Sequence, residues 1–120
     1  MAGTLDMGIE ASFDVGGAED RRPMIHVALE AMAFDHETVI HSNITGAVTD
    51  QDLLDGTVTS AKVVLVSADL GEGVIKMNGG TGVPVNSAGG WLCFANPNGG
   101  VTTLSVTTTD DAKFKVFLFE

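Results

Sequence analysis

Three histidines, His26, His36 and His41, with the carboxylates Asp35 and Glu37 beside them, form the one grouping in this 120-residue chain with the donor types of a transition-metal site. Imidazole and carboxylate are ordinary zinc ligands, but the spacing matters. His36 and His41 stand five apart, which is not the i, i+4 pair that a helix presents to zinc in metallohydrolases. A hairpin between residues 24–34 and 37–42 would set His26 across from His41. The sequence gives no evidence that a carboxylate or carbonyl is placed to orient a ligating histidine. The expectation is of surface histidines beside a turn, with no metal and no cofactor.

Other chemistry-bearing residues read the same way. Asp50, Asp52 and Asp55 resemble pieces of a calcium loop, but its central glycine and closing bidentate glutamate are missing at the required spacing, so turn carboxylates are expected. Gly79-Gly80-Thr81-Gly82 invites comparison with a phosphate cradle, yet no Lys-Ser/Thr pair follows it. No serine lies in a Gly-x-Ser-x-Gly turn. Cys93, the single cysteine, sits between Leu92 and Phe94 with no basic neighbour, which suits a small buried hydrophobe and excludes an internal disulfide. Trp91, the single tryptophan, begins that apolar run and is expected to anchor a core or an interface, or to serve as a stacking platform for a sugar. No catalytic residues are assigned, and an enzyme is not expected.

The elements that carry these residues are mostly short β-segments. Residues 61–67, 73–77, 90–95, 101–107 and 112–120 read as strands, separated by turns such as Asn78-Gly79-Gly80 and Asn96-Pro97-Asn98-Gly99-Gly100. Asp110-Asp111 predicts a hairpin turn between the last two strands. Residues 43–60 read as a connection, with one helical turn over Thr49–Leu54. Residues 24–34 satisfy two patterns. Ile25, Leu29 and Met32 follow helical spacing, whereas Ile25, Val27, Leu29, Ala31 and Ala33 alternate. A strand paired with Glu37–Ser42 is slightly favoured. Residues 1–22 read as an N-terminal arm, with Ile9, Ala11, Phe13 and Val15 on one side of a short strand, and residues 23–120 as a β domain. The fold class is mainly β: an antiparallel β-sandwich or jelly-roll-like barrel with an extended arm.

Charge and targeting narrow the partners. Residues 1–60 hold 11 Asp/Glu against 2 Lys/Arg, a net of −9, and residues 61–120 hold 5 against 4, a net of −1. So acidic a surface repels phosphate backbones, so direct nucleic-acid binding is not expected. Residues 1–10 show neither the basic start nor the apolar stretch of an export signal, and no apolar run approaches membrane-spanning length. Synthesis in the cytoplasm and no membrane partner are expected.

The final strand carries the strongest functional hint. Phe114, Val116 and Leu118 point one way, and Lys113, Lys115, Phe117 and Phe119 the other. Val63-Val64-Leu65-Val66 is likewise apolar on both faces. A strand with one wet face alternates apolar with polar residues, so these two should be covered on both sides, by the arm or by another subunit. Ile9, Phe13, Trp91, Phe117 and Phe119 are the interface candidates.

The glycine- and threonine-rich β module resembles small virion proteins of tailed bacteriophages, and among them capsid decoration (cement) proteins. The likeness rests on Lys62-Val63-Val64-Leu65-Val66-Ser67, Asn78-Gly79-Gly80, Val83-Pro84-Val85-Asn86, Gly89-Gly90-Trp91-Leu92 and Phe114-Lys115-Val116-Phe117-Leu118-Phe119. The resemblance implies a non-enzymatic structural protein located in the virion. It implies a homo-oligomer such as a trimer, bound to the major capsid protein or another virion protein. The alternatives are a phage tail or fibre component and a carbohydrate-binding β module.

Overall fold

The computed structural model describes the backbone of residues 2–12 and 24–120, with side chains for residues 2–8 and 32–120. Ten strands run in chain order: β1 Gly3–Ser12, β2 Met24–Phe34, β3 Glu37–Ile44, β4 Val48–Asp52, β5 Val63–Leu70, β6 Glu72–Met77, β7 Val83–Asn86, β8 Trp91–Ala95, β9 Leu104–Thr108 and β10 Ala112–Phe119. No helix occurs among the described residues, and so none that is long and apolar enough to cross a membrane.

Eight of the strands make a β-sandwich. One sheet has the order β3-β10-β5-β8 and the other β4-β9-β6-β7, all pairs antiparallel. Among these eight, only β6 and β7 are consecutive in sequence and paired; every other connection crosses from one sheet to the other. That connectivity is a jelly roll, two interlocked Greek keys. It corrects the hairpin expected at Asp110-Asp111: β9 and β10 lie in different sheets, and the turn carries the chain over the edge. The β6–β7 hairpin has an Asn-Gly turn, with Asn78 at φ 53° and Gly79 at φ 67°, and Gly80 N–H donates to Met77 O. Two successive left-handed residues match the twist of paired strands.

The alternation expected for the last strand is present. Ala112, Phe114, Val116 and Leu118 are buried between the sheets, with Val64, Val66 and Leu92 beside them and Ile75, Val85, Leu104 and Val106 opposite. Two other expectations need correcting. Residues 48–52 form an edge strand rather than a helical turn, because the Thr108 and Thr107 hydroxyls accept the N–H groups of Val48 and Asp50 and hold a bulge there. The strand expected from Val101 begins only at Leu104, because Asn78 Oδ1 draws the N–H groups of Thr102 and Thr103 out of the ladder.

Residues 24–34 are a strand, but β2 pairs with β1 and not with β3. Residues 35 and 36 continue along β10 instead: Asp35 N–H donates to Glu120 O at 2.6 Å, and Glu120 N–H donates to His36 O at 2.8 Å. The chain therefore runs on in line with β3 and cannot fold back on it. The β1–β2 ribbon joins neither sheet. It makes the molecule long, at 52 × 36 × 22 Å with a radius of gyration of 16.3 Å. A compact chain of this length would have about 13.6 Å.

Candidate interaction surface

The outer face of the β3-β10-β5-β8 sheet follows from the register. Phe117 of β10 lies between Val39 of β3 and Leu65 of β5, and Leu65 lies beside Cys93 of β8. One cross-strand row is thus apolar over all four strands. Val39 is 49% exposed, and Phe117, Leu65 and Cys93 are half-buried. The next row, His41–Lys115–Ser67–Trp91, is polar until Trp91, which is 56% exposed on the edge strand. The row on the other side, Glu37–Phe119–Val63–Ala95, is partly covered.

That cover comes from the root of the ribbon. The Phe34 ring meets Phe119 edge to face at 5.1 Å between centroids, and Lys62 Nζ donates to Ala33 O at 2.9 Å. Val63 and Met32 are buried here, although neither belongs to the core between the sheets. A second small apolar cluster therefore sits outside the sandwich. Phe117, Leu65 and Cys93 in the next row are half-buried, and Val39 is exposed.

Glu120 fastens the root. Its Oε2 accepts the N–H groups of Thr59 and Ser60 at 2.6 and 2.8 Å and the Thr59 hydroxyl at 3.1 Å, and Oε1 lies 4.0 Å from His36 Nδ1. The Ser60 N–H, then the Thr59 N–H, hold this carboxyl below the usual glutamate range.

The interface candidates fare differently. Phe117, Phe119 and Trp91 share this outer face, with Phe119 touched by Phe34. Trp91 is no core residue, because its turn of the alternation on β8 goes outward while Leu92 goes in. Cys93 is half-buried on the outer face rather than in the core, and burial pushes its thiol pKa up. Ile9 lies on β1 opposite Val27, with its side chain outside the described residues, and Phe13 lies outside them altogether. Sequence reasoning missed Val39, and it marked the strand of Leu65 as apolar on both faces without naming Leu65 an interface candidate, because their place beside Phe117 depends on which strands flank β10.

The candidate chemical groups do not converge. His26 pairs by backbone with Glu10, His41 with Lys115, and His36 lies by Glu120, so the expected His26–His41 pairing is corrected. Asp50 holds Lys76 Nζ at 3.1 Å, Asp52 accepts the Leu54 N–H, and Asp55 accepts the Thr57 hydroxyl and N–H. The Thr57 hydroxyl, then its N–H, lower the Asp55 pKa. Among the described residues, no three His, Cys, Asp or Glu side chains gather as a metal-ligand group. Two surface depressions are open and lined by strand ends and turns, one by Glu72, Asn86, Asp110 and Asp111, another by Asp52, Leu54, Thr103 and Ser105. No protein-family model, curated protein or solved structure matches this chain.

Proposed function

We propose that this chain is a non-enzymatic structural protein of a tailed-phage virion, a homo-oligomer that decorates or cements the capsid lattice. The observation that carries the reading is the apolar row Val39–Phe117–Leu65–Cys93 across the outer face of one sheet, beside the exposed Trp91. Burying a phenylalanine fully is worth roughly 1.5–3 kcal/mol, and a free monomer forgoes part of that on the half-buried Phe117 and more on the exposed Val39 and Trp91. The jelly roll is compatible with the reading, being a fold of viral capsid proteins, but lectins and cupins use it too, so fold alone does not choose. The likeness in sequence style to phage decoration proteins supplies the virion context.

Native mass spectrometry at micromolar concentration, alone and with capsids from the virus that encodes the chain, tests this. The expected result is a discrete homo-oligomer that adds to capsids in fixed stoichiometry. A monomer of 12.4 kDa that ignores capsids would overturn it. The exposed Trp91 favours a second reading, a carbohydrate-binding module with that ring as its platform. The two separate by fluorescence. Glycans shift Trp91 emission in a sugar module, whereas self-association shifts it with protein concentration.

A further inference from the structure

Charge is missing from one side of the sandwich. The chain carries 16 Asp/Glu and 6 Lys/Arg, a net of −10, yet none of these residues and no histidine falls between 77 and 109. That stretch holds β7 and β8, which are edge strands of the two sheets. They lie on the same side of the sandwich, where β7 packs against β5 and β8 and Asn86 bridges Gly90. The opposite side, made by β3 and β4, carries Glu37, His41, Asp50 and Asp52.

The edges differ also in how they are guarded. Natural sheets protect an open edge with charge, proline or a bulge. β4 has a bulge and carboxylates, β3 has Glu37, and β7 is four residues long and contains Pro84. β8, Trp91-Leu92-Cys93-Phe94-Ala95, has none of these devices, and no strand among the described residues lies beyond it. Its open backbone groups follow from the ladder. Asn96 N–H donates to Lys62 O, in register with the β5–β8 pairs. By alternation Leu92 and Phe94 turn their N–H and C=O to β5, and Trp91, Cys93 and Ala95 turn theirs away. The side chains of these three stand on the outer face, where the apolar row Val39–Phe117–Leu65–Cys93 runs up to this edge.

We propose that two copies of the chain join β8 to β8, antiparallel about a two-fold axis at Cys93, so that two four-stranded sheets become one continuous sheet. The proposal rests on the homo-oligomeric reading above and names its contact. A second copy is the occupant because like-charged molecules meet with least repulsion where neither carries charge, and interface cores are depleted in charged side chains and enriched in aromatic ones. The strand is also self-complementary in this register. Cys93 stands opposite Cys93 of the second copy and Trp91 opposite Ala95, and each opposite pair exchanges both N–H···O bonds. The indole, 56% exposed in the single copy, meets a small side chain. The two apolar rows become one, joined at the cysteines. Such a contact closes at two copies. Pairing β8 with the β3 edge of a second copy would instead put Glu37 and His41 in the seam.

Five residues a side make a short contact, so the test traps it covalently. Residues opposite each other in a hydrogen-bonded antiparallel pair have Cα atoms about 5.5 Å apart, within the span of a disulfide. Wild type, the double variant Cys93→Ser/Val39→Cys and Ala95→Pro are oxidised with diamide at one protein concentration and run without reductant, alongside native mass spectrometry. Val39 lies in the same row at the far edge and is 49% exposed, so a thiol there reports random collision. Ala95→Pro removes an outward N–H and leaves the bonds of Leu92 and Phe94 to β5 in place. The expected result is a covalent dimer of twice 12.4 kDa that forms several-fold faster in wild type than in either variant, with even-numbered oligomers in native mass spectrometry. An oligomer in which Cys93 links no faster than the Val39→Cys control, a trimer, or a dimer indifferent to Ala95→Pro overturns the β8 pairing and leaves the homo-oligomer intact. A monomer throughout overturns both readings.

Discussion

Gly73→Ala tests whether the interior of the sandwich is full, and with it whether the outward phenylalanines have anywhere else to go. Gly73 lies on β6, paired with Val85, and its backbone faces the ring of Phe114 across the core. A methyl group there would sit 2.7 Å from Phe114 Cζ, 2.9 Å from Val106 Cγ2 and 3.2 Å from Thr107 O. Carbon atoms pack at about 3.5–4.0 Å, so the ring must retreat by about 1 Å. Phe114 is 1% exposed and Val106 0%, so both are enclosed by the core. Overpacking of this kind costs about 1–3 kcal/mol, partly offset by the 0.4–1 kcal/mol or so that Gly→Ala gains by restricting the unfolded chain. The net expectation is a loss of about 1–2 kcal/mol. With a urea m-value of about 1–2 kcal/mol/M, the midpoint falls by about 1 M, measured at one fixed protein concentration. Phe114→Leu removes the far edge of the ring and makes room, so the double variant should be more stable than the sum of the singles by about 1 kcal/mol or more. An unchanged midpoint for Gly73→Ala, or additivity within about 0.5 kcal/mol, would refute the close-packing argument.

Glu120→Gln removes the charge that accepts the Thr59 and Ser60 N–H groups and should cost about 1 kcal/mol in thermal denaturation at pH 7. Because the folded-state pKa of Glu120 is depressed, its contribution is present above the ordinary glutamate range and is lost as pH falls through the lowered value. Wild type should therefore lose more Tm than Glu120→Gln on acidification, and parallel curves would count against the latch. Asn78→Ala deletes acceptors for Thr102 and Thr103 and a donor to Gly100 O, and forces alanine to φ 53°; the expected loss is about 2–3 kcal/mol. Asn78→Gly should recover the conformational part alone, and equal losses for both would remove strain from the account. Changing His26, His36 and His41 together to Gln should shift stability by within about 0.5 kcal/mol per site, and a chelator should leave the wild-type Tm unmoved. A large chelator effect would reopen the metal-site reading.

The jelly roll was half legible in the sequence. Period-two patterns located β5, β6, β8 and β10, because each buries alternate residues and is bounded by turn chemistry. Pairing was not legible. Asp110-Asp111 has hairpin composition, yet turn residues serve equally well where a chain crosses between sheets. The edge strand β4 was hidden by its carboxylates, which point to solvent and read as a loop. Residues 24–34 looked half helical for a definite reason. Ile25, Leu29 and Met32 are spaced four and then three apart because a bulge adds one residue between Leu29 and Met32, and that mimics a helical period within a strand. The outer apolar row was visible only in part. Phe117 and Phe119 stood out on one strand, while Val39, Leu65 and Cys93 join them only through a register that connects residues far apart in sequence.

These points converge on β10, which serves two surfaces at once. Its inward set, Ala112, Phe114, Val116 and Leu118, closes the core against the opposite sheet. Alternation then commits Phe117 and Phe119 to the outside, whatever suits them individually. A register slip of one residue would bury Lys113 and Lys115 in place of Phe114 and Val116, so the fold cannot draw the outward rings inside by shifting the strand. Relief has to come from another surface. Phe34 supplies it for Phe119, at the point where Glu120 ties residues 35 and 36 to the end of β10. The same backbone bonds aim the ribbon along the β3 line and away from Phe117. The latch that packs on one phenylalanine thus stops short of its neighbour on the strand, and Phe117 stays half-buried on the outer face.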